Sequence, residues 1–267
     1  MSSLNMEEYT KLQDLLARCE DNELDHIFWP ILDNEDGSLQ KFKKLRSKVE
    51  ESKTWKKGLN WKKGRVLEDL AVFLFERFDV IEDVKKNKRT ADNETDIETT
   101  FSSKALPPFI KINIGSKIVC ECKNYKSKSI DVGMVTKLSE IIPDRNAKFG
   151  VFISILGMGG YGWRYGEGKR KKIMYSEKRP IISFTLDELK TLEEGSNFYT
   201  MIQQKYKLLV DDVDDESADL PGEENIEYTK RLHETINHLH KCDLINTDQY
   251  SEIIGKALER YGPIDED

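Results

Sequence analysis

Residues 118–125 read IVCECKNY, and the fold turns on how that stretch is read. Alternation along a strand sends Ile118, Cys120 and Cys122 to one face and Val119, Glu121 and Lys123 to the other. The first set packs into a core. The second sets a carboxylate beside an ammonium, about 6–7 Å apart along the strand. Charges that interrupt an apolar strand cost free energy unless they are paired, solvated in a cleft or bound to a metal. Glu-x-Lys recurs at Glu51–Lys53, Glu167–Lys169 and Glu188–Lys190, as a chain with 34% charged residues allows. Those three fall in predicted helices or loops, whereas Glu121–Lys123 falls in a strand.

The neighbouring segments supply a frame. Upstream, a helix is expected from about Lys63 to Phe78, with Val66, Leu67, Leu70, Ala71, Leu74 and Phe75 on a broad apolar face. The period then changes. FDVIEDV (78–84) and DIETTF (96–101) read as strands, the second following the turn-like TADNET. IKINI (110–114) is expected to pair with KIVCECK (117–123) through a Gly115-Ser116 hairpin turn. Downstream, 131–142 returns to helix spacing, and KFGVFISIL (148–156) is the continuous apolar run of a strand covered on both faces. A glycine-rich loop and a basic segment lead to the strand PIISF (180–184). TLDE (185–188) then fits a capping box, Thr185 as N-cap and Glu188 three residues on. This order predicts an α/β fold, a mixed β-sheet flanked by helices.

The flanks read differently. Residues 1–60 show helix spacing through Leu12, Leu15, Leu16 and Cys19, and again through Leu39, Phe42, Leu45 and Val49. HIFWP (26–30) ends a segment at Pro30, and NEDG (34–37) is a turn. DDVDDESADLPGEEN (211–225) has little to bury and reads as a solvated linker. EYTKRLHETINHLHKCDL and TDQYSEIIGKALERYG read as two amphipathic helices joined by a short turn. Three regions follow: a helical stretch over 1–60, a core over 61–195, and an acidic linker with a helical hairpin over 196–267.

Composition narrows the function. No window approaches the roughly 20 apolar residues that span a bilayer, and the first thirty residues lack a signal-peptide pattern, so a cytoplasmic protein without a membrane partner is expected. Cys19, Cys120, Cys122 and Cys242 are few and scattered, which fits a reducing compartment and gives no zinc spacing. His233, His238 and His240 read as solvent-exposed rather than metal-binding. The net charge is −7, but from Lys207 onward 17 acidic and 6 basic residues give −11, leaving +4 for the remainder. Basic runs at 53–65, 85–89 and 168–172 can meet phosphates while the acidic end faces elsewhere.

Asp96 begins a strand about 25 residues before Glu121. If the two strands are neighbours, both acids converge at the sheet rim, with Glu68 contributed by the preceding helix. Asp92, Glu94 and Glu98 compete with Asp96, and register decides among them. Two or three carboxylates with the Cys122 carbonyl make an all-oxygen cage suited to Mg²⁺ or Mn²⁺. A lysine beside such a cage can orient water or stabilise charge on a phosphate. On the plainer reading, Glu121 and Lys123 form a rim ion pair and Asp96 caps a turn.

Glu68, Asp96 and Glu121-x-Lys123 on a helix–strand–strand frame resemble the PD-(D/E)XK phosphodiesterase superfamily, most closely its Mrr-like restriction endonuclease branch. KGRVLEDLAVFLFERFDV (63–80) is similar to that branch's opening helix, and VCECKNYKSKSIDVGMVTKL (119–138) to its central strand and following helix. FGVFISILGMGGYGW (149–163) and PIISFTLDEL (180–189) match its later strands. The resemblance covers about 60–195 and implies a restriction-endonuclease-like core with helical extensions at both ends. It implies metal-dependent hydrolysis of nucleic-acid phosphodiesters, DNA being the substrate taken and RNA the alternative, in restriction or phage defence.

Under that resemblance Asp96 and Glu121 are metal ligands and catalytic residues. Glu68 is an accessory ligand, acting through a water or a second metal, and Lys123 serves the water and the transition state. Two departures stand out: Thr95 replaces the expected proline, and Glu121 replaces the glutamine that many Mrr-like proteins carry. Lys62, Lys63, Arg65, Lys126, Lys128, Trp163, Arg164, Lys169 and Arg170 are candidate nucleic-acid contacts, mixing phosphate-binding and stacking groups. A homodimer, or a partner protein docked on the C-terminal helices, fits the arrangement. The competing function is a catalytically silent nuclease-fold module that binds nucleic acid or assembles a complex.

Overall fold

The computed structural model describes residues 23–89, 94–102, 106–159, 165–211 and 228–261, with Met6, Glu7, Thr10, Lys11 and Asp14 ahead of them. The expected helix around Leu12 to Cys19, the linker after Asp211, and the Trp163 and Arg164 contacts lie outside those residues.

A five-stranded mixed sheet forms the centre: β1 (Ile81–Arg89), β2 (Glu94–Phe101), β3 (Lys117–Lys123), β4 (Phe149–Ser154) and β5 (Ile181–Thr185), in that spatial order. β1, β2 and β3 pair antiparallel, and β3, β4 and β5 pair parallel. Parallel neighbours need crossovers, and two helices supply them after α1 (Ser38–Ser52) and α2 (Asn60–Glu76) have formed: α3 (Val132–Asp144) and α4 (Gly166–Glu177). α5 (Phe198–Asp211) follows β5, and α6 (Tyr228–Lys241) and α7 (Thr247–Tyr261) form the C-terminal hairpin. This is the restriction-endonuclease-like α/β architecture.

Each face of the sheet has its own core. Leu67, Leu70, Ala71 and Leu74 of α2 recur at helix spacing and pack with Ile118, Cys120, Val151, Ile153 and Phe184. Val135, Leu138 and Ile142 of α3 cover the other face over Val119, Phe152 and Ile181. Every residue of β4 is buried, as a strand covered on both sides requires. Trp29, Phe42 and Val49 from the N-terminal side, and Phe198 and Ile202 from α5, join the α2 core. The Trp29 indole donates to the Leu74 carbonyl at 2.9 Å, and Arg77 donates to the Pro30 carbonyl at 2.8 Å. The capping box at Thr185 and Glu188 is present.

Several expectations change. IKINI is not a strand: Ile110–Ile114 forms a single π-helical turn, and β3 pairs with β2 instead. A strand would bury Ile110, Ile112 and Ile114 on one face; here Ile110 and Ile114 are buried and Ile112 is 73% exposed. Pro107 and Pro108 favour a helical start, and Gly115 ends the turn at φ +80° with its N–H on the Ile110 carbonyl. β1 starts later than expected, after a turn at Asp79 and Val80, and runs on through the basic residues 85–89. The basic run 168–172 is helical, and within it Lys171 is buried.

His233 is buried rather than exposed, and its Nε2 has no hydrogen-bond partner. It shares a stripe of α6 with Ile236 and His240, spaced to face α7, where His240 stacks on Tyr250 at 4.5 Å.

Candidate active site

The β2–β3 ladder runs from Thr100 opposite Lys117 to Ile97 opposite Cys120 and stops there. One rung further in the same register would set Asp96 opposite Glu121. The Asp96 side chain takes over at that point: its Oδ2 accepts the Cys122 N–H at 2.7 Å. The Lys123 ammonium lies 2.8 Å from Glu121 Oε2 and 3.9 Å from Asp96 Oδ2. Two acids and an amine from adjacent strands therefore meet where β2 leaves β3. Glu98, one of the alternatives to Asp96, is engaged elsewhere. Glu98 is buried against the Arg145 guanidinium at 3.2 Å and accepts from the Thr95 hydroxyl at 3.0 Å. Asp92 lies outside the described residues.

Burial, and then the charge of Glu121, raise the Asp96 carboxyl from 3.8 to about 6, against the opposing pull of Lys123 and the Cys122 N–H. Burial alone would lower the Lys123 ammonium, but Glu121 and Asp96 override it and hold the amine protonated well above its usual value. Behind them, the Cys122 thiol is raised by its hydrogen bond with Cys120 and by burial, so it stays neutral. Both cysteines are free.

Glu68 does not join this group. It comes from α2 on the Cys120 face, whereas Glu121 lies on the Val119 face, and β1 and α2 cations hold it. Arg65 Nη1 stands 3.2 Å from Glu68 Oε2, Lys86 Nζ 3.4 Å, and the Asn87 amide donates to the same oxygen at 3.0 Å. Its charge still reaches Asp96 as a minor upward influence.

Does this set suit a hard cation? Glu121 Oε1 is buried with no hydrogen-bond partner, and Asp96 carries a charge its surroundings oppose. Both are what a cation would satisfy, and the donors are all oxygen. Among the described residues no group of three or more His, Cys, Asp or Glu is arranged around a common point. The fit is therefore to a two-carboxylate site, completed by a backbone carbonyl and water.

The expected nucleic-acid contacts divide. Lys62, Arg65 and Lys126 are exposed near this rim, Arg65 while paired with Glu68. Lys63 is half-buried, and its carbonyl accepts the Asn124 amide at 2.7 Å. Lys128 is exposed and pairs with Asp131 at 2.9 Å. Lys169 and Arg170 are half-buried on α4, Arg170 bonded to Glu167. Sequence reasoning passed over Trp61, Asn124 and Tyr125, which border the same rim; the only signal was their place beside basic residues and after Glu-x-Lys. A cavity of about 460 Å³ between Lys148, Arg179, Pro180 and Tyr206 opens at the opposite end of the parallel strands and shares no residue with the acids.

With the helix–strand–strand frame and its acids in place, the family comparison is decisive: a model described as a restriction endonuclease, the Mrr catalytic domain, matches residues 61–177. Residues 61–177 are an Mrr-type restriction endonuclease domain. The Mrr domain thus spans α2 through α4 and contains Glu68, Asp96, Glu121 and Lys123. No curated protein and no solved structure matched the chain.

Proposed function

We propose that the chain is a Mg²⁺- or Mn²⁺-dependent endonuclease that hydrolyses DNA phosphodiester bonds, acting in restriction or phage defence. One observation carries the reading: Asp96, Glu121 and Lys123 converge where β2 leaves β3, with Glu121 Oε1 buried and unpartnered.

Asp96 and Glu121 would hold the cation, with the Cys122 carbonyl and water completing its shell, while Glu68 acts only through its charge on Asp96. The cation, when bound, supplies positive charge to the phosphate and lowers the pKa of the attacking water. Water attacks phosphorus, the bond to one ester oxygen breaks, and that oxygen leaves with a proton. Lys123 is protonated beside its two carboxylates, so its part is electrostatic: it steadies charge growing on the phosphate oxygens and donates a hydrogen bond to water. Lys62 and Lys126 would meet flanking phosphates, which sets register without reading bases.

Supercoiled plasmid with Mg²⁺ tests the proposal. Cleavage is expected, is abolished by a chelator, and falls at least about 100-fold in Asp96→Ala, Glu121→Ala and Lys123→Ala, the scale of losing a charged transition-state contact. Cutting that survives all three substitutions rules it out.

One observation favours the silent-module reading: the Lys123 ammonium already lies between both acids and supplies positive charge there. Calorimetric titration with Mn²⁺ separates the two. The nuclease takes up the metal, and Asp96→Ala loses it.

A further inference from the structure

Two large aromatic side chains stand exposed at the rim of this site. Trp61 is 66% and Tyr125 43% exposed, while Trp29 is fully buried. Trp61 lies seven residues before Glu68, so the two share one stripe of α2, about 10 Å apart along the axis. Tyr125 follows Asn124, whose amide donates to the Lys63 carbonyl at 2.7 Å and to Ser52 Oγ at 2.9 Å. Those bonds pin the exit of β3 to the first turn of α2, so both rings stand on a fixed edge. The Tyr125 phenol is near enough to Lys123 to act on its charge. The Lys62 ammonium sits 5.4 Å from the centroid of the Trp61 ring.

Exposed rings edged by cations, beside a phosphate-cleaving site, have the make-up of a stacking platform for bases. A base inside a duplex already stacks on its neighbours and offers no face to a ring at the rim. An unpaired one does.

We infer that Trp61 and Tyr125 hold unpaired bases beside the phosphate being cut, so that the substrate is DNA with a single-stranded segment at the cleavage point: a gap, a flap or a single strand. This rests on the nuclease reading and names the substrate class of the same site. Both side chains are exposed, so replacing them opens no cavity in the core.

The test uses the full chain in EDTA, which prevents cleavage, and three fluorescein-labelled DNAs of one sequence: single-stranded, gapped and fully duplex. Anisotropy gives each Kd. The unmodified chain is expected to bind the single-stranded and gapped DNAs more tightly than the duplex. Trp61→Ala and Tyr125→Ala should each weaken those two by at least about fivefold, the lower end of one lost base stack. Trp61→Phe should restore most of the affinity, and the duplex Kd should not move. Binding the single strand should also quench tryptophan fluorescence in the unmodified chain and much less in Trp61→Phe. Equal weakening on the intact duplex, or none on any DNA, overturns the stacking role and leaves the nuclease reading standing. Failure of the unmodified chain to bind any of the three, both in EDTA and with Ca²⁺ in its place, overturns both.

Discussion

At the level of the single residue, Asp96 shows how a site stores charge that the fold by itself resists. Its carboxyl is raised from 3.8 to about 6 by burial and by Glu121. Between those values the folded chain keeps a proton that the unfolded chain has lost, so the contribution of this group to stability is fully present below about pH 4 and is lost as pH rises through 6. Asp96→Asn keeps an acceptor for the Cys122 N–H and removes the charge. Urea unfolding of the metal-free protein should find the variant more stable at pH 8, by up to about 3 kcal/mol. The two proteins should converge near pH 4; a variant less stable at pH 8 would contradict this account. Glu121 and Lys123 stood out because a charged pair in an apolar strand is conspicuous, whereas Asp96 had rivals in nearby acids that only strand register could separate. The partners of Glu68 were not, since Lys86 and Asn87 reach it from a strand whose position no local pattern fixes.

Individual elements depend on close approaches that composition hides. A Cβ on Gly166 would sit 2.3 Å from the Ile130 carbonyl oxygen, so α4 can begin against that backbone only with glycine there. Gly166→Ala should therefore destabilise the protein by about 1–3 kcal/mol, the usual cost of overpacking. Gly58→Ala, with nothing within 4 Å of its Cβ, serves as the control in the same thermal melts and should shift little. An equal shift in both would discount the contact. The π-helical turn at Ile110–Ile114 shows the reverse limit. Five residues with three isoleucines fit strand propensity, but Pro107, Pro108 and Gly115 and the burial of Ile110 and Ile114 decided for a helical turn. By contrast, α2, β4 and the Thr185 cap were readable, because each repeats a pattern long or specific enough to have one solution.

Across the whole molecule, the site depends on a tie between distant parts. Glu98 and Arg145 are both nearly fully buried, and their ion pair joins β2 to the end of α3. β2 also carries Asp96, two residues away, so the tie bears on where that carboxyl is held. Removing the Glu98 charge takes this ion pair from a buried guanidinium, so Glu98→Gln should destabilise the protein by up to about 3–5 kcal/mol. Chemical denaturation would measure it, and a loss under about 1 kcal/mol would mean that the pair contributes little. The same scale explains the charge balance. A chain of net −7 can carry basic residues at the rim of one site because its acidic excess is concentrated after Lys207.

The amino-acid order alone determined the α/β class, the sheet's central strand and the acids worth watching, because alternation, helix spacing and capping are local and repeat along the chain. It also carried the family, since the motif and its flanks lie in sequence. Only the tertiary structure decided which acid stands by Glu121, that Glu98 is a buried structural partner, that Glu68 is held elsewhere, and that Asn124 ties the exit of β3 to the first turn of α2. Those outcomes depend on strand register and on contacts between segments far apart in the chain, where a small change in packing selects a different neighbour.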